Sequence, residues 1–142
     1  MIRFILILAC GTLFSLSPPR LTAQNDPASV KREAVKNMTA GRFGEAITLL
    51  DRYLRLKPED AQAHNNLGNA LAEQGKVEEA IANYQAALRL NADNPEAHFN
   101  LALALLRQGR RQDALGHLNN ALRLKPDYAD ARRQLQALAA SK

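Results

Sequence analysis

The sequence repeats with a fixed period of 34 residues. The repeated positions are the glycines Gly41, Gly75 and Gly109, the alanines Ala46, Ala80 and Ala114, and the Leu-Arg-Leu triplets at 54–56, 88–90 and 122–124. A period of about 20–50 residues is typical of solenoids, in which one supersecondary unit stacks on copies of itself. The sequence therefore predicts three stacked units, over residues 27–60, 61–94 and 95–128.

Each unit has the pattern of two helices joined at a glycine. In the second unit, apolar residues recur at helical spacing over residues 63–71 and again over 77–90. Gly75 separates the two runs, because a glycine can adopt the positive φ that ends a helix. Pro58 and Pro126 follow the second helices of the first and third units, and proline ends a helix since it has no N–H to donate. These signals predict an all-α chain of three helical hairpins.

A seventh helix is predicted over residues 129–140. Ala131, Leu135 and Leu138 share one face of it. Each repeat of a solenoid contacts only its neighbours, so the last one needs a cap with a polar outer side. The residues that supply this side are Arg132, Arg133, Gln134 and Gln136. We interpret the seventh helix as a C-terminal capping helix.

An apolar run precedes the repeats. Residues 4–16 follow the basic residue Arg3 and give way to helix-breaking prolines and then to Ala23. This layout is typical of a secretory signal peptide. We expect residues 1–23 to be cleaved after Ala23, which leaves a mature domain over 24–142 in the periplasm or outside the cell. The protein would then touch the membrane only through its signal peptide before cleavage.

Two other interpretations of this run remain open. The run has 13 residues, fewer than the roughly 20 that a membrane-spanning helix needs, but it could stay uncleaved as an anchor. Residues 7–10 resemble a lipoprotein processing box that ends in Cys10, although few apolar residues precede that site.

Charge and cysteine content exclude several classes of function. Removal of residues 1–23 takes away Arg3, Arg20 and Cys10, which leaves 17 Lys and Arg against 14 Asp and Glu, a formal charge of +3. This charge forms no cluster that could follow a phosphate backbone, so nucleic-acid binding is not expected. The mature chain would have no cysteine, which excludes disulfides, thiolate metal sites and a thiol nucleophile.

The units resemble the tetratricopeptide repeat (TPR), whose signature is an aromatic-x2-Leu-Gly-x2-Tyr, then Ala-x3-Phe, then Pro. The matching residues are Val30, Ala34, Ala46, Leu50 and Pro58 in unit one, His64, Leu67, Gly68, Leu71, Ala80 and Tyr84 in unit two, and His98, Leu101, Ala102, Leu105, Ala114, Leu118 and Pro126 in unit three. Glu33 and Asn37 stand where the signature has Leu and Tyr. The resemblance implies a right-handed α-solenoid.

The resemblance also implies a function. In this family the first helices of successive repeats line a concave groove that holds a peptide or a helix of another protein. The groove positions carried over to this sequence are Lys31, Val35, Gln62, Asn65, Asn69, Glu73, Glu96, Phe99, Leu103, Leu106 and Arg107. We therefore expect an exported adaptor that binds a partner polypeptide.

Some family members clamp a C-terminal carboxylate with Lys, Asn and Arg side chains. Lys31 and Asn66 match two of those places, whereas Val35, Glu96 and Asn100 do not. Because Glu96 would repel a carboxylate, the resemblance does not extend to this specificity.

The first helix of unit three is apolar nearly all the way round. Phe99, Leu103 and Leu106 follow one another at i, i+4 and i+7 on the predicted groove side. We expect this stripe to be exposed and to anchor the partner, because exposed apolar patches usually mark interaction sites. Two alternatives remain: the cap helix or the C-terminal tail covers the stripe, or the exposed end of unit three forms a homodimer.

No constellation of residues predicts catalysis. The three histidines, His64, His98 and His117, lack HExxH spacing and the company of a nucleophile. His64 and His98 occupy the position of the packed aromatic, and we interpret them as packing groups rather than as a metal pair, since two ligands alone make a poor site. The chain is therefore predicted to be no enzyme and to need no metal or cofactor.

Overall fold

The computed structural model describes residues 26–140, which form seven helices and no strand. The helices are α1 (Pro27–Thr39), α2 (Phe43–Leu56), α3 (Ala61–Glu73), α4 (Val77–Leu90), α5 (Pro95–Arg107), α6 (Arg111–Leu124) and α7 (Ala129–Ala140). The predicted all-α fold of three hairpins and a final helix is confirmed. The predicted signal peptide and Cys10 lie outside the described residues.

Each first helix begins at a side-chain cap. Asp26, Asp60 and Asn94 occur at the 34-residue period, and each accepts a hydrogen bond from the backbone N–H three residues later. Such a cap satisfies one of the N–H groups that a helix start leaves without a partner. The repeated sequence therefore sets the start of α1, α3 and α5.

The turn inside each hairpin depends on its glycine. Gly75 has a φ of 76°, which residues with a Cβ rarely adopt, and the N–H of Lys76 donates to the Leu71 carbonyl at 3.0 Å. This six-to-one hydrogen bond closes the end of α3 in the manner of a Schellman motif. Gly41 and Gly109 repeat the conformation with φ of 72° and 74°.

The helices stack in the order of the sequence. Within each hairpin the two helices pack on each other, and the second helix also packs on the first helix of the next hairpin. The largest fully buried apolar side chains are Leu50, Leu101, Leu105 and Leu118. One core therefore runs from α1 to α7, and alanines recur among its leucines.

The N-terminal end of the stack has a polar outer side. Glu33 and Lys36 are exposed on α1, whereas one period later Leu67 and Ala70 are buried. No described helix precedes α1, so these two positions meet no neighbour. Asn37, the other departure from the family signature, is buried and accepts a hydrogen bond from Arg42 Nε at 3.1 Å.

The C-terminal end is closed by α7, which packs on α6. Ala131 is fully buried, and Leu135 and Leu138 are partly buried against the core. Arg111 of α6 donates a hydrogen bond to the Leu138 carbonyl and so joins the two helices. Arg132 is exposed, as is Arg133 beside it, so the outer side of α7 is polar as a cap requires.

None of the helices over residues 26–140 is long and apolar enough to cross a membrane.

Candidate functional site

The first helices of the three hairpins form one continuous surface. α3 contacts both α1 and α5, and α2, α4 and α6 each pack on the first helix of their own hairpin. Every residue predicted to bind a partner lies on α1, α3 or α5. We use the name groove for the accessible side of these three helices.

An ion pair joins the first two hairpins at one end of the groove. Lys31 Nζ lies 2.6 Å from Asp60 Oδ2, and Tyr53 OH donates to the same oxygen at 2.7 Å. Asp60 Oδ1 accepts the N–H of Ala63 at 2.9 Å, which makes Asp60 the cap of α3. One carboxylate therefore links α1, α2 and α3.

These contacts fix the charge of Asp60. Burial works to raise the pKa of the carboxyl, but the hydrogen bonds from Lys31, Tyr53 and the Ala63 N–H lower that pKa to about 2. The hydrogen bond to Asp60 also raises the pKa of Tyr53. The Lys31 ammonium is thus already paired, and a ligand carboxylate would have to compete with Asp60 for it.

Amide side chains occupy the middle of the groove. Asn100 Nδ2 on α5 donates to Asn69 Oδ1 on α3 at 3.0 Å, and Tyr84 OH donates to the same oxygen at 2.8 Å. Both lone pairs of this oxygen are therefore used, which fixes the orientation of the Asn69 amide. Asn69 Nδ2 and Asn100 Oδ1 make no hydrogen bond within residues 26–140, so a donor and an acceptor remain for a ligand.

Asn65 is not part of the accessible surface, although the sequence placed it there. The residue is only 1% exposed, and its Oδ1 lies 3.4 Å from Asn100 Nδ2. A side chain buried between α3 and its neighbours cannot touch a partner directly. Asn65 instead helps to position the Asn100 amide.

A depression lies between α3 and α5. It has a volume of about 260 Å³, and its lining is Asn69, Ala72, Glu73, Tyr84, Asn100, Leu103, Ala104 and Arg107. Arg107 closes one side by donating to the Ala72 carbonyl at 2.9 Å. Burial raises the pKa of Tyr84 above its ordinary value, so its hydroxyl remains a donor to Asn69. The depression combines an apolar wall at Leu103 with polar groups on the other sides.

The apolar stripe of α5 is half-buried, which corrects the expectation that nothing shields it. The Phe99 ring packs on Tyr128, with 5.0 Å between ring centroids, and Leu106 packs against the core. Tyr128 directly precedes α7, so the chain that leads into the cap covers part of the stripe. Leu103 is the member of the stripe that lines the depression in the groove.

The remaining predicted positions are accessible. Val35 is 40% exposed on α1, beside an opening of about 670 Å³ whose lining includes Lys31, Arg32 and Tyr53. Gln62 and Glu96 are exposed on α3 and α5, and Gln62 Nε2 donates to Asn66 Oδ1 at 3.1 Å. The groove is therefore accessible at positions on all three of its helices.

The histidines lie between the two helices of a hairpin. This is the place expected of side chains that pack one helix against the other. His64 Nδ1 is 3.1 Å from Asn83 Oδ1, and His98 Nδ1 is 2.9 Å from His117 Nδ1. Each histidine of α3 and α5 thus pairs within its own hairpin. Among residues 26–140 no group of three or more possible ligands could hold a metal ion.

Comparison with protein-family profiles decides the family. A profile described as "TPR repeat" matches residues 38–75 and 68–109, and one described as "Tetratricopeptide repeat" matches residues 95–128. The chain belongs to the tetratricopeptide repeat family. The third predicted unit has the same bounds as the second profile match.

Solved TPR structures share this fold at low sequence identity. The first TPR of Spaghetti (RPAP3), solved with the HSP90 peptide SRMEEVD, superposes with a TM-score of 0.78 at 19% identity, covering 81% of this chain and 91% of that one. MamA gives a TM-score of 0.81 at 21% identity, covering 85% and 71%. The TPR domain of Arabidopsis OM64 gives 0.79 at 17% identity, covering 82% and 96%. No curated protein matches the sequence significantly.

Three residues that support this groove were not predicted from the sequence to do so. Asp60, Tyr53 and Tyr84 lie outside the first-helix positions that the family signature marks, yet they hold Lys31 and Asn69 in place. The sequence contains one signal for the network around Asp60. Asp26, Asp60 and Asn94 recur at the cap position, and of these three only Asp60 has a tyrosine seven residues before it.

Proposed function

We propose that the chain is an exported TPR adaptor that binds an extended, internal segment of a partner protein in the groove. The observation that carries the proposal is the Asn69–Asn100 pair at the centre of the groove. It holds one unused donor and one unused acceptor on neighbouring helices. An extended backbone offers the complementary acceptor and donor, as in other grooves that bind peptide main chain.

The two ends of the groove support an internal segment rather than a free C-terminus. Spaghetti was solved with a peptide that ends in an acidic residue. In this chain the Lys31 ammonium is paired with Asp60, and Glu96 adds a negative charge on α5. A terminal carboxylate would therefore be bound weakly, because it meets no unpaired cation at Lys31 and is repelled at Glu96.

Export is the second part of the proposal. It rests on the basic residue, apolar run and Ala23 of residues 1–23, which lie outside the described structure. Periplasmic and secreted locations fit this pattern equally well. The proposal assigns binding, and no reaction, to the chain.

Homodimer formation through the end of unit three is the alternative function. Tyr128 covers part of Phe99, and α7 turns exposed arginines outward. Both features leave less apolar surface for self-association than the sequence predicted. We therefore favour capture of a different protein.

Site-directed photo-crosslinking tests the binding surface. A photoreactive residue at Gln62 or at Glu96 would lie in the groove, whereas the same residue at Gln85 or at Asn119 would lie on α4 or α6. All four positions are exposed, and each pair is separated by one repeat period. We expect a partner to crosslink, in the native compartment, at the two groove positions.

A double variant, Asn69→Ala with Asn100→Ala, tests whether the amide pair is needed for binding. It removes the central amide pair and should abolish the crosslink from Gln62 while circular dichroism shows an unchanged helix content. Equal crosslinking from Gln85 and Asn119, or an undiminished crosslink in the variant, would refute binding in the groove.

A further inference from the structure

Two histidines face each other inside the third hairpin. His98 on α5 and His117 on α6 have their Nδ1 atoms 2.9 Å apart and their ring centroids 5.2 Å apart. His98 is 9% exposed, and it lies on the side of α5 that faces α6. The contact therefore helps to hold together the helix that carries the groove and the helix behind it.

The hydrogen-bond partners determine where the protons are. His98 Nε2 is 3.1 Å from the Ala92 carbonyl oxygen. A carbonyl only accepts, so Nε2 carries the hydrogen and Nδ1 of the neutral His98 ring is an acceptor. His117 Nδ1 must then be the donor. A second hydrogen on His98 Nδ1 requires His117 Nδ1 to become the acceptor, which a neutral His117 allows by carrying its hydrogen on Nε2. When both rings are protonated, two N–H groups face each other and the contact becomes repulsive.

The same place in the second hairpin has a different partner. His64 and Asn83 lie one period before His98 and His117. His64 Nδ1 is 3.1 Å from Asn83 Oδ1, and His64 Nε2 is 3.0 Å from the Pro58 carbonyl oxygen. Both neighbours are acceptor oxygens. An imidazole with N–H groups on both nitrogens therefore fits the second hairpin but not the third.

Burial and the nearby charges also disfavour a second proton on either ring. Burial lowers the pKa of His98, and Arg123 lowers it further, against opposing contributions from the Ala92 carbonyl and Asp93. Burial likewise lowers the pKa of His117, as do His98 and Arg110, while Asp113 opposes them. Both rings are thus held neutral near pH 7.

We propose that the His98–His117 contact is an acid-sensitive latch, which closes the third hairpin when at least one ring is neutral and opens it when both rings are protonated. Opening separates α5 from α6 and so loosens the C-terminal third of the chain. The second hairpin, with Asn83 in place of the second histidine, stays closed. This inference concerns the stability of one hairpin and does not depend on the proposed partner.

Hydrogen exchange of the full chain tests the latch. Exchange is measured at about pH 7.5 and about pH 5, on either side of the ordinary histidine pKa, with correction for intrinsic rates and with a chelator present. Acid should raise the equilibrium constant for opening of α5 and α6 about tenfold or more. The reason is that protonation replaces a hydrogen bond with a buried N–H that has no acceptor. Protection of α3 and α4 should change much less.

Two reciprocal substitutions exchange the partners between the hairpins. His117→Asn gives the third hairpin the pairing of the second and should remove its acid sensitivity. Asn83→His gives the second hairpin the pairing of the third and should make α3 and α4 acid-sensitive. If His117→Asn does not fold, Asn83→His alone still tests whether a pair of histidines makes a hairpin acid-sensitive.

Three results would overturn the latch. Acid could loosen all hairpins equally, or the exchanged residues could fail to move the sensitivity between hairpins. Nitrogen NMR could also show His98 and His117 both protonated while α5 and α6 remain fully protected. Any one of these would show that the pair does not control the hairpin.

Discussion

Tyr84 fills the space beside Gly68, since a Cβ built on Gly68 would lie 2.6 Å from Tyr84 Cε1. One period later the same two positions hold Ala102 and Leu118, both fully buried. Large and small residues are therefore matched across each hairpin. The tyrosine of the second hairpin requires the glycine, and the leucine of the third allows an alanine.

Gly68→Ala should therefore destabilise the protein by about 1–3 kcal/mol, because the ring of Tyr84 must move to admit the methyl group. Urea unfolding followed by circular dichroism measures the loss. In the background of Tyr84→Leu, which copies the third hairpin, the same change should cost much less. Equal costs in the two backgrounds would show that the ring does not limit this position.

The network around Asp60 predicts loss of stability in strong acid. The folded-state pKa is about 2 and the ordinary value is 3.8, so the unfolded state binds a proton first. Stability from this carboxylate is full above about pH 4 and is lost as the pH falls toward 2, in total roughly 2 kcal/mol. Urea midpoints across this range measure the effect.

Asp60→Asn is the control for that network. Asparagine keeps an oxygen for the cap of α3, as Asn94 does for α5, but it cannot be ionised. The variant should be less stable near pH 7, and its stability should fall less between about pH 4 and 2. An unchanged slope in this range would place the acid sensitivity elsewhere.

Phe99 and Leu103 should respond differently to truncation. Phe99→Ala removes the ring that packs on Tyr128, an aromatic contact that contributes about 1 kcal/mol beyond burial. Leu103→Ala removes the apolar wall of the groove and should weaken partner binding at a cost of less than about 1 kcal/mol in stability. Binding and urea unfolding of both variants, measured side by side, separate the two roles.

Deletion of residues 129–142 should expose the α6 face that α7 covers. Leu122 and other apolar side chains at that end would then meet solvent, and the chain should aggregate as its concentration rises. Light scattering measures this. Deletion of residues 141–142 alone is the control and should have no effect. A monodisperse, equally stable truncated chain would show that α7 is not needed as a cap.

Processing of the N-terminus is tested by the intact mass of the exported protein. Cleavage after Ala23 leaves a chain that begins at Gln24 and has no cysteine. A lipid adduct on Cys10 would establish the lipoprotein alternative, and a retained residue 1 would establish an anchor. Sedimentation of the same material should give a monomer, whereas a stable dimer would favour self-association.

The 34-residue period was sufficient to predict the helices, because caps and turn glycines act locally. Gly75 adopts its positive φ within the turn of its own hairpin. Asp60 caps α3 by accepting the N–H of Ala63, only three residues away. The residues that the family resemblance assigns to the groove all lie on α1, α3 and α5. What is repeated in the sequence is therefore repeated in the backbone.

Side-chain pairs between helices could not be predicted in this way. Asn65 and Asn69 both belong to α3 and both accept a hydrogen bond from Asn100 of α5, yet Asn65 is buried and Asn69 lines the groove. The period relates His98 to His64, its counterpart in sequence, but the histidine that His98 contacts is His117. Such pairs depend on the residues that differ between repeats, and a period contains no information about them.

The polar residues at both ends of the stack limit how much of a partner can be held. Glu33 and Lys36 occupy one outer side, and the arginines of α7 occupy the other, so further units do not extend the row of α1, α3 and α5 within residues 26–140. Packed helices lie about 10 Å apart, which gives roughly 20 Å between the outer two of the three. An extended chain rises about 3.3 Å per residue. A recognition sequence of about six residues would fill the row from end to end.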